Sequence, residues 1–191
     1  TSPISTQFLA ENIANYQANL PMTHFFCPGP MSAFGNFTGT GITGGLVLLC
    51  MFSKNDMLKK IGRVAFIPML FGINEPILFG APVVLNPLFF FPYVIGGGIV
   101  GTFDAFAVSL HMLTPSFFTP PYVGVFLEGF LTNLDPRSIV VNALQLAASF
   151  AIYFPFFKIY ERRLNEQEQA ESASNLLSAE DQALLDEMDL G

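Results

Sequence analysis

The chain has 191 residues, of which 51% are hydrophobic and only 12% are charged. A soluble domain has roughly a quarter of its residues charged, so this composition excludes an ordinary soluble globular protein. The net charge of −7 comes from residues 161–191, which contain nine acidic residues and two arginines. The remainder is neutral overall and has no basic patch, so the sequence indicates no nucleic-acid partner.

Charged residues are absent over long stretches of the chain. None occurs from Asn12 to Ser53, and only four, all acidic, occur from Val64 to Pro136. In lipid, backbone polar groups have to be satisfied internally, which favours helices. The sequence therefore predicts an all-α integral membrane protein. The chain has neither an initiator Met nor a signal peptide, which suggests an internal or C-terminal piece of a longer protein.

The first predicted region is 1–38. Thr1–Leu20 is polar and rich in Gln and Asn, and its pattern favours an amphipathic or partly buried helix. Pro21–Phe37 is dense in Pro and Gly but apolar, which indicates an irregular loop that is buried or re-entrant.

The second predicted region, 39–160, is the transmembrane domain. Its apolar segments are, in chain order, Gly39–Phe52, Ile61–Phe71, Tyr93–Leu113, Val123–Leu134 and Ser138–Ile159. Tyr93–Leu113 and Ser138–Ile159 are long enough to cross a membrane, because about 20 residues span the hydrocarbon core. The glycines of Gly39–Phe52 predict that another helix backbone approaches closely there.

The most unusual stretch of the chain is Gly72–Pro92. Extended back to Pro68, it contains five prolines in 25 residues. An interior proline costs a helix about 3 kcal/mol, so this stretch has to break and turn. At membrane depth the freed backbone groups are buried in protein or line a wet cavity, so we expect a re-entrant hairpin. A carboxylate at that depth, here Glu75, is a candidate functional group.

Basic residues predict the orientation of the chain. Seven of the eight lie in two clusters, 54–63 and 158–163. The positive-inside rule places both clusters in the cytoplasm, so the chain between them makes an even number of full crossings. The third region, 161–191, is then an acidic cytoplasmic tail. Its pattern is typical of a disordered or loosely helical appendage.

Three segments of the chain together resemble a known family. Gly72–Gly80 (GINEPILFG), followed by Asn86-Pro87, closely resembles the signature of the enzyme IIC permeases. These are the lactose, cellobiose and diacetylchitobiose membrane subunits of the bacterial sugar phosphotransferase system. Gly39–Leu46 and Ile152–Lys158 are similar to the same family, in the same order, and the resemblance covers roughly residues 1–160.

The resemblance implies a homodimeric, multi-pass carrier in the bacterial cytoplasmic membrane, in contact with the lipid bilayer. Such a carrier binds a disaccharide from outside and presents its 6-hydroxyl at the inner face. There a partner IIB subunit donates the phosphoryl group from a phosphocysteine. The IIC chain itself carries no phosphoryl group, so it acts as an enzyme only together with IIB. No cofactor and no metal are expected.

The resemblance also implies roles for particular residues. Glu75 contacts the sugar and is the candidate general base for its hydroxyl, and Asn74 lines the same site. Asn86 and Phe118 are further substrate-binding candidates, and Thr40 is another because its hydroxyl, in the glycine-rich segment, can donate a hydrogen bond to a substrate. Carboxylates and amides offer the donors and acceptors that a sugar requires, and a hydroxyl that attacks phosphorus gains from a positioned base.

Each of these residues also has an ordinary structural interpretation. Glu75 can cap the helix that follows the break, and Asn86 before a proline is common turn chemistry. The glycine-rich segment around Thr40 can serve helix packing alone. Phe118 is a candidate for sugar stacking because family members often have a Trp shortly before the later prolines.

One family marker is missing from the chain. A Gly-Ile-His-Gly-like segment normally lies just upstream of the Pro-Ile that resembles Pro3-Ile4, and this chain does not contain it. Neither His24 nor His111 replaces that histidine by motif, so we expect both to be structural or loop residues.

Two other interpretations compete with the permease. Broken helices near the middle of the membrane suit an ion- or proton-coupled secondary transporter equally well. A non-transporting structural relic is the third interpretation, because half a permease does not necessarily close a binding site.

Overall fold

The protein is described by a computed structural model that covers residues 3–24, 38–84, 86–99, 102, 106, 110, 112–114, 117–118 and 123–189. Every regular element in these ranges is helical, which confirms the predicted all-α class. The helices are, in chain order, α1 (Pro3–Gln17), α2 (Gly44–Met51), α3 (Asp56–Met69), α4 (Glu75–Gly80), α5 (Pro87–Ile99), α6 (Val125–Asn133) and α7 (Arg137–Asp189).

The helix predicted within Thr1–Leu20 is present as α1. Two other predicted segments are covered only in part. The apolar loop predicted at Pro21–Phe37 lies outside the described residues beyond His24. The span predicted at Tyr93–Leu113 is helical as far as Ile99, and most of its remainder also lies outside the described residues.

The short helix α2 lies at the centre of the hydrophobic core. Its buried side chains, Leu46, Val47, Leu49 and Cys50, pack with residues of α3, α4, α5 and α7. A Cβ at Gly45 would lie 2.2 Å from the backbone nitrogen of Phe150 on α7. The close helix approach predicted for this glycine-rich segment is therefore confirmed.

The helices α2 and α3 also meet at a glycine. A Cβ at Gly62 would lie 2.4 Å from the backbone nitrogen of Met51. Asn55 starts α3, because its side-chain oxygen accepts a hydrogen bond from the backbone N–H of Leu58 at 3.1 Å. This cap places the start of the helix before the apolar stretch at Ile61 that the sequence indicated.

The predicted break of Gly72–Pro92 is confirmed. Met69 ends α3, two short helices α4 and α5 follow, and a turn with Ala81 and Pro82 joins them. Pro76 and Pro87 lie in the first turns of α4 and α5, where a missing N–H costs no helical hydrogen bond. Within α5, Pro92–Gly96 forms a π-helical turn.

The long helix α7 packs against α2, α5 and α6. In the described part of the chain it is the one helix long and apolar enough to cross a membrane, over Arg137–Leu176. It includes the predicted span Ser138–Ile159. One face of α7 buries polar side chains at helical spacing, namely those of Ser138, Asn142, Gln145, Ser149 and Tyr153.

The helix α7 passes without a break through the predicted boundary at residue 160. The sequence indicates that residues 161–191 are either disordered or loosely helical. The helix continues through this region to Asp189. Glu161 is buried and accepts hydrogen bonds from Ser53 Oγ and the backbone N–H of Lys54, at 2.5 and 3.0 Å. The first residue of the 161–191 region is therefore hydrogen-bonded to the connection between α2 and α3.

Candidate functional site

A strained loop, Thr38–Thr43, precedes α2. Four of its residues have left-handed backbone angles, with φ of 62° at Thr38, 89° at Gly39, 75° at Gly41 and 49° at Ile42. Glycine adopts this conformation without cost, but β-branched residues such as Thr and Ile rarely do. Such backbone strain persists only where the surroundings impose it, and it concentrates at functional sites.

The two ends of the Thr38–Thr43 loop bind each other. Thr38 Oγ1 accepts a hydrogen bond from the backbone N–H of Gly44 at 2.9 Å, which satisfies a free donor at the start of α2. The hydroxyl of Thr43 donates to the carbonyl of Thr38 at 3.3 Å. The loop is thus a closed structure, and Thr40 at its tip is exposed.

Asn74 connects this loop to α4. Its amide Nδ2 donates to the carbonyl of Thr40 at 2.7 Å and lies 3.4 Å from Thr40 Oγ1. A Cβ at Gly39 would lie 2.5 Å from the side-chain carbon Cγ of Asn74, so only glycine leaves room for this amide. The side chain of Asn74 is 5% exposed. Two residues predicted from the sequence as a site, Thr40 and Asn74, are therefore in direct contact.

Tyr93 contributes a hydroxyl that the sequence interpretation missed. Its OH donates to Thr40 Oγ1 at 3.0 Å. Its ring fills the space beside Gly41, where a Cβ would lie 2.5 Å from ring carbon Cδ2. The available signal was a hydroxyl-bearing ring directly after a run of phenylalanines and Pro92.

The helix α7 holds the loop from the other side. The hydroxyl of Tyr153 donates to the carbonyl of Gly41 at 2.9 Å, and that of Ser149 donates to the carbonyl of Ile42 at 2.5 Å. The sequence interpretation also missed these two residues. Their signal was a polar stripe at i, i+4 spacing in an otherwise apolar helix.

Glu75 directly follows Asn74 but has different surroundings. Its side chain is exposed, and it makes no hydrogen bond or ion pair within the part of the chain that the structure describes. The N-cap of α4 is Asn74, without a side-chain capping bond. The capping interpretation of Glu75 therefore has no supporting contact among these residues, and its carboxylate can accept hydrogen bonds from a ligand.

Asn86 and Phe118 make no contact, among the described residues, with Thr40, Asn74 or Tyr93. Asn86 caps α5, because its side-chain oxygen accepts from the backbone N–H of Leu88 at 3.0 Å. Phe118 is 48% exposed, and its backbone N–H donates to the carbonyl of Thr132 on α6 at 3.3 Å. The turn interpretation of Asn86 thus has a definite contact, and sugar binding by either residue stays a prediction.

His24 belongs to the surroundings of α1. Its Nε2 lies 2.6 Å from Glu11 Oε2, and its ring stacks on Phe8 with centroids 4.4 Å apart. These contacts support the structural role predicted for it, whereas His111 lies outside the described residues. Among the described residues no group of three or more His, Cys, Asp or Glu side chains is arranged to hold a metal.

Several features of the chain are typical of an all-α membrane protein. They are the helical fold, the long apolar α7 and the Asn-Glu-Pro sequence at a helix break. A sequence model of the family described as "Phosphotransferase system, EIIC" matches residues 1–97. The chain belongs to this family.

The chain has relatives whose names state a sugar. The lactose-specific EIICB component of Lacticaseibacillus casei is 32% identical over 174 residues, which cover 88% of this chain. The cellobiose-specific EIIC component of Lactococcus lactis is 38% identical over 146 residues, or 73% of this chain. The chain spans 30% of the length of the first relative and 29% of the second.

A solved structure has a similar fold. The transporter ChbC, the IIC component of the N,N'-diacetylchitobiose-specific phosphotransferase system, superposes with a TM-score of 0.83. The match covers 88% of this chain and 40% of ChbC, at 24% sequence identity. The shared fold places the described helices in an all-α membrane protein.

Proposed function

We propose that this chain forms the disaccharide-binding part of a phosphotransferase-system permease. Its site consists of Glu75, Asn74 and Thr40, together with the hydroxyl of Tyr93. The sugar is of the cellobiose, lactose or diacetylchitobiose type, a class supported by the names of the relatives.

One observation carries this proposal. The buried amide of Asn74 holds the carbonyl of Thr40, while Glu75, the next residue, has an exposed carboxylate with no bond to the described residues. A charged side chain at membrane depth is costly, so a carboxylate kept at a break between apolar helices is a candidate functional group. The exposed carboxylate of Glu75, together with the hydroxyls of Thr40 and Tyr93, offers the mixture of donors and acceptors that binds a sugar.

The chemistry proposed for Glu75 is that of a general base. The 6-oxygen of the sugar forms a bond to phosphorus while the bond between phosphorus and the cysteine sulfur of IIB breaks. The carboxylate of Glu75 takes the proton of the hydroxyl, and the IIB cysteine leaves as a thiolate. A positioned base contributes about 100-fold to 10,000-fold to such a transfer.

The proposed partners and orientation follow from the family and from charge. Several relatives are named EIICB components, which supports a IIB partner. The backbone N–H of Lys54 and the ammonium of Lys158 both bind Glu161, at 3.0 and 2.8 Å. The two basic clusters therefore come together at Glu161, which supports a common cytoplasmic side. We further propose a multi-pass homodimer in the bacterial cytoplasmic membrane, with a re-entrant α4–α5 hairpin and a cytoplasmic C-terminus.

Substitution Glu75→Gln tests the proposal in the full-length protein. We expect sugar phosphorylation by phosphorylated IIB to fall at least about 100-fold, because the amide accepts no proton. Insertion into the membrane should be unchanged. Glu171→Gln is the matched control, since it removes the same charge from an exposed position on α7 and should keep full activity. Wild-type turnover in the Glu75→Gln protein would remove Glu75 from the mechanism.

A further inference from the structure

We infer that Tyr153, supported by Ser149, is a positioning residue that sets the sugar-contacting geometry of Thr40 through the backbone of the Thr38–Thr43 loop. This inference rests on the proposed function, because it assigns how the Thr40 side of that site is held. Neither residue is required to touch the sugar.

Three successive carbonyls of the loop each accept a hydrogen bond from a different side chain. Asn74 donates to Thr40 O at 2.7 Å, and Tyr153 donates to Gly41 O at 2.9 Å. Ser149 donates to Ile42 O at 2.5 Å. The directions of three consecutive peptide groups are therefore fixed from outside the loop, and these directions determine where the Thr40 side chain lies.

The backbone of the loop needs such external support. Thr38 and Ile42 are β-branched residues with φ of 62° and 49°, a conformation that they rarely adopt. The bond from Tyr153 acts at Gly41, the residue between Thr40 and Ile42. Its loss releases the peptide group between Gly41 and Ile42, one residue beyond Thr40, and we expect the resulting shift of Gly41 to reach the Thr40 hydroxyl that Tyr93 holds at 3.0 Å.

The helix α7 is a suitable support because it is tied to both ends of α2. At the loop end, the backbone N–H of Gly45 donates to Ser149 Oγ at 3.1 Å. At the other end, Ser53 Oγ donates to Glu161 Oε1 at 2.5 Å. Tyr153 lies between these two contacts on α7 and is 1% exposed. The loop, α2 and this part of α7 are thus held together.

Substitution Tyr153→Phe in the full-length protein removes the hydroxyl and keeps the ring. Binding of radiolabelled cellobiose, lactose and diacetylchitobiose is measured in detergent, and the sugar that wild-type protein binds is used. We expect its Kd to rise about threefold to tenfold, the usual effect of one hydrogen bond. Tyr160→Phe is the matched control on the same helix. The ring of Tyr160 packs edge-on against Phe89, and its hydroxyl has no hydrogen bond to the described residues. We therefore expect the Tyr160→Phe protein to bind the sugar with an unchanged Kd.

A double-mutant cycle with Thr40→Val separates positioning from general stabilisation. If Tyr153 acts through Thr40, Tyr153→Phe weakens sugar binding in the wild-type background but has little further effect in the Thr40→Val background. Equal weakening in both backgrounds would overturn the inference. So would an unchanged Kd in the Tyr153→Phe protein.

Ser149→Ala provides a second test if Tyr153→Phe protein fails to fold. This substitution releases the carbonyl of Ile42, and we expect it to weaken sugar binding only while Thr40 is present. Equal weakening of sugar binding with and without Thr40→Val would again contradict the inference.

The proposed function fails separately. If wild-type protein binds none of the sugars, or Glu75→Gln leaves phosphorylation intact, the site itself is wrong. If those results hold and Tyr153→Phe has no effect, only the positioning role is wrong.

Discussion

Asn74 and Glu75 are neighbours in the sequence with opposite surroundings. The amide of Asn74 is buried and bonded to Thr40, whereas the carboxylate of Glu75 is exposed. A buried amide that loses its partner is costly, so Asn74 is well suited to hold the loop in place. An exposed carboxylate remains open to a ligand. The proposed site therefore assigns different roles to the two neighbours: Asn74 holds the Thr38–Thr43 loop, and Glu75 is open to a ligand.

Asn86→Ala tests whether Asn86 acts as a cap or as a sugar ligand. Because its side-chain oxygen accepts from Leu88 N–H, we expect the loss of about 1 kcal/mol of stability and little change in sugar affinity. Asn86→Asp is the comparison variant, since aspartate also caps helices and should retain the stability. Thermal unfolding in detergent measures the first quantity and sugar binding the second. A Kd that rises tenfold without a loss of stability would instead make Asn86 a ligand.

The crossing of α2 and α7 is defined by a glycine. A Cβ at Gly45 would lie 2.2 Å from Phe150 N and 2.5 Å from Ser149 C, and both atoms belong to the backbone. Backbone atoms do not move aside as a flexible side chain does. The same crossing carries the bond between Gly45 and Ser149, so its geometry also determines how α7 reaches the loop.

Gly45→Ala should therefore destabilise the protein. We expect a loss of about 1–3 kcal/mol, the usual cost of overpacking, together with weaker sugar binding. Gly98→Ala is the matched control, because a Cβ there meets nothing within 4 Å and the position is helical. Thermal unfolding in detergent compares the two variants. Equal unfolding temperatures would show that the helices approach less closely than the structure has them.

The sequence could predict elements where a single residue type controls the backbone. Five prolines were sufficient to predict the break, and glycines predicted the close packing of α2. The sequence did not predict that Gly39–Thr43 is a loop before α2, because its shape depends on hydroxyls from Tyr93, Ser149 and Tyr153. Those residues are 53 to 112 positions away in the chain, so no local pattern contains the information.

At the scale of the whole molecule, both basic clusters and the start of the acidic region meet at Glu161. This residue binds Ser53, Lys54 and Lys158, while the Thr38–Thr43 loop lies at the opposite end of α2. The helix α7 therefore contacts the Thr38–Thr43 loop through Ser149 and Tyr153, and the charged cluster through Glu161.

We propose that this chain belongs to a carrier that couples sugar uptake to phosphorylation. The most direct measurement is uptake of radiolabelled cellobiose, lactose and diacetylchitobiose by vesicles containing the full-length protein, with phosphoenolpyruvate and phosphorylated IIB. We predict that one of these sugars accumulates as its 6-phosphate, even when a proton or sodium gradient is dissipated. Accumulation of the unmodified sugar, lost when the gradient is dissipated and independent of IIB, would contradict the account and indicate an ion-coupled transporter.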